Sequence, residues 1–307
     1  MTSLRQLEIF LQVVETGSFT AAAESMFMTQ PAISWQIKKL EEDLEVALFR
    51  KRDRILELSE AGEIMHRAAK EMLGVYHHVL TAMEEYKSLG KGRLAIGAST
   101  IPGEYILPSL LSEFCEGHEH LDIRVQIDGS VDILDQLVAA QVDVGIVGAK
   151  KILPGIEYLP WLQDDIIAVT AYHNQEIPAE TTLHDLTAFV MVGRGVQSGT
   201  RMSIEKALQK EGMDLFSFPR YISIATTQGL LSAVSAGMGF AFVSQWAAMP
   251  MIARKELRQI KVKNVEIKRH FYIARWETPY PIPSVEAFSQ FLLSKQNELS
   301  PNHNVNG

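Results

Sequence analysis

From Ser59 to about Lys87 the chain runs without a proline, and Ile64, Ala68, Met72, Val75, Val79 and Met83 recur at steps of four, four, three, four and four. That period is helical and sustains one apolar seam along the whole stretch. Gly62 and Gly74 are the only glycines inside it. A helix of this length splits the 307-residue chain into a small head before it and a large body after it. A lone helix leaves the seam in water, so a second copy of the chain is expected to bury it. The other reading packs the helix on its own chain. Leu89-Gly90-Lys91-Gly92 then reads as a hinge. The resulting division is a head of residues 1–58, a linker and dimerisation helix of 59–89, and a body of 93–300.

In the head, Leu4, Leu7, Phe10, Leu11 and Val14 form one face of a helix that Gly17 ends. Thr20 is expected to cap a short second helix through Ala21-Ala22-Ala23, whose small side chains admit a neighbouring helix closely. Thr29-Gln30-Pro31 opens a third, with Thr29 as N-cap and Pro31 in the first turn, where a missing N–H is harmless. Ile33, Ile37, Leu40 and Leu44 form its buried stripe, and Gln30, Ser34, Trp35 and Lys38 face away. This order predicts a helix-turn-helix whose third helix enters the major groove of double-stranded DNA. Gln pairs bidentately with adenine, Ser bonds any base, and Lys38 and Lys39 reach phosphates. Phe49 to Leu58 reads as a hairpin wing with Arg50, Lys51, Arg52 and Arg54 near its tip, suited to a phosphate or the minor groove. The candidate DNA-binding residues are Ser18, Thr20, Thr29, Gln30, Pro31, Ser34, Trp35, Lys38, Arg50 and Arg52. A three-helix protein-interaction module with a solvated polar face is the alternative. The net charge is −8, and the head carries seven basic against nine acidic residues, which argues against a protein that merely coats nucleic acid. What speaks for DNA is clustering of the cations at 38–39 and 50–54.

The stretch from Leu4 to Gly62 resembles the DNA-binding signature of the LysR-type transcription regulators. The resemblance is carried by Leu7-Glu8-Ile9-Phe10, Gly17-Ser18-Phe19-Thr20-Ala21-Ala22-Ala23, Thr29-Gln30-Pro31-Ala32-Ile33-Ser34, Gln36-Ile37, Lys39-Leu40-Glu41, Leu48-Phe49 and Leu58-Ser59-Glu60-Ala61-Gly62. Two positions depart from the pattern. Trp35 stands where many members have Arg or another polar residue, which puts base readout there in question, and Arg50 stands where Glu often follows Leu-Phe. The resemblance also implies a homodimer or homotetramer, an effector-binding body, and RNA polymerase as a partner.

From Arg93 strand and helix patterns alternate: Leu94 to Gly97, a helix after Pro102, Asp122 to Asp128, a helix from Val131 to Ala140, and Val142 to Val147. A second run begins near Asp165 to Val169 and includes Phe189 to Val192, a helix from about Ser198 to Glu211, Tyr221 to Ile224, a helix from about Thr227 to Ala236, and Gly239 to Val243. A last strand near His270 to Ala274 and a helix from Ser284 to Ser294 return to the first lobe. The predicted fold class is α plus α/β: a winged helix-turn-helix, a long linker helix, and a two-lobed effector domain like a periplasmic binding protein. Lobe I spans about 93–162 and 268–298, and lobe II about 163–267. Ligands in open α/β sheets lie beyond the strand C-termini. Three such places carry hydroxyls just before helices: Ser99-Thr100, Ser198-Gly199-Thr200 and Thr226-Thr227. Helix N-termini favour anions, so Ser99, Thr100, Ser198, Thr200, Thr226 and Thr227 are expected to hold a small anionic effector. The resemblance assigns effector contacts to the same places. For each pair, plain helix capping is the competing explanation. The Gly97-Ala98-Ser99-Thr100 and Gly103-Glu104-Tyr105 wording is similar to the branch of the family that controls sulfur or selenium metabolism.

No catalytic constellation emerges, and no enzyme is expected. Ser198 is misplaced for a G-x-S-x-G elbow, and no P-loop, GxGxxG after a first strand, or HExxH occurs. No metal or cofactor is expected: His77 and His78 are adjacent on a helix and diverge, and His118 and His120 read as solvated loop residues. Cys115 is the only cysteine and is expected to pack as a small hydrophobe. With no apolar run long enough for a bilayer and no export signal, a cytoplasmic protein without membrane contact is expected. A regulator acting through protein contacts alone is the other functional reading.

Overall fold

The computed structural model describes residues 2–52, 55–87, 92–196, 198–218 and 220–299. The chain forms two compact units, one of residues 1–83 with 138–141 and one of 84–137 with 142–307. The hinge residues Leu89, Gly90 and Lys91 lie outside the described residues.

The first unit holds α1 (Leu4–Thr16), α2 (Phe19–Ser25), α3 (Gln30–Leu44), the hairpin β1 (Phe49–Arg52) and β2 (Ile55–Leu58), and most of α4 (Glu60–Lys87). Ser3 and Gln6 close a capping box on α1, and Gly17 ends it with φ +64°. The buried face of α1 is Leu7, Ile9, Phe10 and Val13, rotated from the expected stripe so that Leu11 and Val14 are half-buried and Leu4 is exposed. The sequence assigns the cap of α2 to Thr20, but Ser18 holds it, accepting the Ala21 N–H at 3.4 Å. The helix starts at Phe19, which leaves Thr20 within its first turn and exposed. Thr29 occupies the N-cap position of α3 in extended conformation, yet its side chain makes no capping bond. Ile33, Ile37 and Leu40 are buried as expected, and Leu44 is half-buried. These side chains and Leu48 form one core that Ala69 and Leu73 of α4 complete. Phe49 joins the wing to it, with ring centroids 5.4 Å from Phe10 and 5.7 Å from Phe19. Glu41 accepts the Leu48 N–H at 2.7 Å and so fixes where the wing begins. Ser59 accepts the Gly62 N–H at 2.9 Å at the start of α4. A Cβ on Gly62 would stand 2.1 Å from the Leu48 carbonyl oxygen, so only glycine permits this approach.

The second unit contains β3 (Arg93–Ser99), a wide helical turn (Pro102–Ile106), α5 (Leu107–Glu116), β4 (Asp122–Asp128), all but the last residue of α6 (Ser130–Val138), and β5 (Val144–Val147). There follow β6 (Ile156–Ala171), β7 (Glu180–Thr181), α7 (Leu183–Leu186), β8 (Met191–Arg194), α8 (Gly199–Lys210), a short 3-10 turn (Leu215–Ser217), β9 (Tyr221–Ile224) and α9 (Thr227–Ser235). The unit closes with β10 (Phe240–Ser244), α10 (Gln245–Ala253), β11 (Leu257–Val262), β12 (Ile267–Trp276), α11 (Pro283–Ser294) and α12 (Gln296–Leu299). The strand order is β4-β3-β5-β12-β6-β10-β8-β9, with β11 beside β6 and β7 beside β11. The β3, β4 and β5 strands are parallel to one another, as are β8, β9 and β10. These two parallel groups are the lobes, and the antiparallel pair β6 and β12 runs through both. The sequence starts the second run near Asp165, whereas β6 begins at Ile156 and extends for 16 residues as one of the two crossings. Lobe I returns its last helix onto its own core: Trp161 Nε1 donates to the Leu292 carbonyl at 2.8 Å, and Phe288 meets Phe114 edge-on at 5.1 Å.

Two expectations fail here. Cys115 is exposed, because α5 buries Leu107, Leu110 and Phe114 and the next residue turns about 100° away. His118 is not a free loop side chain: its ring stacks on Phe114 at 4.0 Å, with Nδ1 2.9 Å from the Phe114 carbonyl oxygen.

Candidate functional site

The carboxyl ends of β3, β8 and β9 open onto one cleft of about 470 Å³ in the second unit. All six hydroxyl residues picked from the sequence line it: Ser99 and Thr100 in lobe I, and Ser198, Thr200, Thr226 and Thr227 in lobe II. Capping and lining are not exclusive. Ser198 accepts the Arg201 N–H at 3.5 Å, and Thr226 accepts the Gly229 N–H at 3.0 Å, which aims the first turns of α8 and α9 at the cleft. The hydroxyls of Ser99 and Thr100 sit where β3 passes into the next helical turn.

The sequence reading missed the charges in this cleft. Arg194, the last residue of β8, is half-buried and donates through Nη1 to Thr227 Oγ1. Its Nε is buried without a hydrogen-bond partner among the described residues. Burial pulls its pKa below the ordinary arginine value, and the nearby Glu104 and Tyr105 pull it back up. Tyr221 Oη donates to the Arg194 carbonyl at 2.9 Å, which holds the backbone that presents the guanidinium. Arg269 enters from the crossing strand β12, directly opposite Asp164 on β6. Its Nε donates to Asp164 Oδ2 at 2.8 Å, and Nη2 lies 2.8 Å from the same oxygen but off the line a hydrogen bond needs. Ser244 Oγ donates to Asp164 Oδ1 at 2.7 Å. Burial raises the pKa of Asp164, and Arg269 and Ser244 counter it. Ser130 accepts the Gly148 N–H at 3.2 Å on the lobe I side. Applying the strand-end rule to the last residue of β8 would have found Arg194. Arg269 had no such signal, because its partner lies 105 positions away.

The head presents a second candidate surface. Gln30, Pro31, Trp35 and Lys38 are exposed on α3, Ser34 is half-buried, and Gln30 Nε2 donates to Ser34 Oγ at 2.8 Å. Thr20 and Thr29 are exposed near them in sequence, and Ser18 is half-buried in its capping role. Trp35 is 56% exposed, with Lys39 Nζ 5.1 Å from its ring centre. Lys38 lies 3.7 Å from Glu42, and Arg50 lies 3.3 Å from Glu57 across the hairpin. Both are exposed ion pairs, weak enough to exchange for a phosphate contact. Arg52 is in β1, but its side chain lies outside the described residues, as do those of Lys51 and Arg54.

A winged helix-turn-helix and a two-lobed α/β ligand cleft on one chain define the class of effector-controlled transcription regulators. Residues 4–63 match the model described as bacterial regulatory helix-turn-helix protein, lysR family, and residues 87–297 match the LysR substrate binding domain. The chain therefore belongs to the LysR family. A relative named "Probable RuBisCO transcriptional regulator", from Cyanophora paradoxa, is 29% identical over 97% of this chain and 94% of its own length. The "HTH-type transcriptional regulator CysL" of Bacillus subtilis is also 29% identical, over 86% of this chain and 87% of its own. Equal identity to two differently named relatives does not assign the chain to one branch. The solved structure of CbnR, a LysR family transcriptional regulator, has the same fold, with a TM-score of 0.64 at 20% identity over 96% of this chain and 99% of its own. Among the described residues no helix is long and apolar enough to cross a membrane.

Proposed function

We propose that the chain reads a partly palindromic operator as a homodimer, or as a homotetramer of two such dimers, and that a small anion in the cleft selects between two DNA-bound forms. The observation that carries the effector reading is the convergence of three strand-to-helix junctions and Arg194 on one cleft. The N–H groups opening α8 and α9 favour negative charge there, and the guanidinium adds to it. Closing the lobes over the anion changes the packing of the effector domains and re-spaces the heads. At the DNA, Gln30 and Ser34 read base edges, while Trp35 packs on a thymine methyl or a sugar. Ser18, Thr20, Thr29, Pro31 and Lys38 flank them along the backbone, and Arg50 and Arg52 bring the wing to phosphate or minor groove. RNA polymerase is the partner whose engagement changes, in the cytoplasm, and no resident cofactor or catalytic step is involved.

The test is a gel shift against the intergenic DNA beside the protein's own gene, at fixed salt with competitor DNA. A discrete, competitor-resistant complex is expected. Thr100→Ala and Thr200→Ala are expected to weaken the effector response without abolishing DNA binding. An unchanged response in both variants would remove the cleft assignment.

A further inference from the structure

The charges around the cleft are divided between the lobes. Among the described residues, lobe II contributes one cation, Arg194, and no carboxylate. Among the described residues, the lobe I wall before β12 contributes three carboxylates, Glu104, Asp128 and Asp132, and no cation. Arg269 on the crossing strand is already balanced by Asp164 behind it. Arg194 has no carboxylate within ion-pair distance among the described residues, although the field of Glu104 reaches it. One wall is thus poised for an acid group, and the facing wall is acidic.

We propose that the effector is a small zwitterion of the amino-acid class. Its acid group sits on lobe II at the Arg194 guanidinium and the N-terminal turns of α8 and α9. Its ammonium group faces Glu104 and Asp132 on lobe I. This rests on the cleft being the effector site and narrows which anions it accepts. A polyanion such as a phosphate ester or a dicarboxylate gains Arg194 but meets the lobe I carboxylates at close range, where like charges repel. A monoacid without an amine leaves those carboxylates uncompensated when closure strips their water. Hydroxyl groups alone donate hydrogen bonds but supply no charge. An ammonium supplies both, and Arg194 is left to serve the acid group. The cleft also lies within the ordinary size range of small-molecule sites.

The experiment is thermal denaturation and titration calorimetry of the full chain with the standard L-amino acids, their deaminated hydroxy-acid counterparts, and inorganic sulfate. At least one amino acid is expected to bind, with its deaminated counterpart weaker by about tenfold or more, as loss of a charged contact predicts. Arg194→Gln is expected to abolish binding of both. Glu104→Gln, at an exposed position that leaves folding intact, is expected to weaken the amino acid and narrow the gap to its counterpart. The inference is overturned if sulfate or a hydroxy acid binds as tightly as any amino acid, or if no amino acid binds at millimolar concentration. Arg194-dependent binding of sulfate or a hydroxy acid would leave the anion-sensing reading standing. Binding of any of these probes that ignores Arg194→Gln would bring that reading down as well.

Discussion

Asp143 shows how one buried carboxyl ties stability to pH. Its Oδ2 accepts the Ala95 N–H at 2.7 Å, joining the loop before β5 to the middle of β3. Burial nevertheless raises its pKa, and the Ala95 bond and Arg93 only partly offset that. The folded state then holds a proton that the unfolded chain releases once the pH passes the ordinary carboxylate value. Stability therefore falls as pH rises through the window between the two values. Asparagine keeps the acceptor and buries no charge. Asp143→Asn is expected to flatten that fall and to be at least as stable above the window, as read by urea denaturation over a pH series. A loss of more than about 1 kcal/mol there would mean that the ionised form is the better partner. Phe27 poses a different problem: it lies between α2 and α3 with φ +54° and is 99% exposed. A bulky L-residue is strained in that region, and asparagine adopts it more readily. Phe27→Asn is expected to raise the stability of the head by about 0.5–1 kcal/mol in denaturant titration. A simultaneous loss of operator affinity would place the ring at the DNA. The cleft shows which residues a sequence discloses. The hydroxyls were legible because each stands between an apolar strand run and a helix start. Glu104, Asp128 and Asp132 were not, since acidic residues beside helix starts are equally expected as dipole partners.

At the scale of elements, α4 is the most consequential. Ala69 and Leu73 enter the head core, while Ile64, Met72, Val75, Val79 and Met83 stay exposed along the other side. Five of the six seam residues read from the sequence therefore face outward, with Ala68 half-buried, and only the period of the seam, not its direction, was readable there. A like seam from a second chain would remove several large apolar side chains from water, each contributing about 1.5–3 kcal/mol when fully buried. Val79→Glu is expected to raise the dimer dissociation constant by at least about tenfold in sedimentation equilibrium and to weaken operator binding in parallel. A variant that sediments and binds as the parent does would show that this face has no partner. The extent of β6 was missed for a local reason. Pro160 lies inside it, and proline argues against a central strand. In the structure Pro160 pairs only toward β12, beside a register shift between His270 and Tyr272, where a missing N–H is tolerated.

For the whole molecule, the division into two compact units has a calorimetric consequence. Heating is expected to give two transitions, and a ligand of the cleft is expected to raise only the one belonging to the second unit. At a ligand concentration one hundred times its dissociation constant the gain is about 2.7 kcal/mol. A ligand that moves both transitions together would show that the units melt as one. The alternation of strand and helix made both lobes legible, because buried parallel strands read as short apolar runs. The path of β6 and β12 through both lobes was less so, since it depends on pairings between residues about a hundred positions apart. That path also orders events at the ribosome. Lobe I is begun at Arg93, yet β12, the strand between β5 and β6, is complete only at Trp276. Until that strand emerges, the flanks of β5 and β6 that it will join stand open on the nascent chain, with all of lobe II being made in the interval. Synthesis that stalls between lobe II and Ile267 thus leaves two sheet edges without their shared neighbour, the arrangement most prone to pair with another unfinished chain.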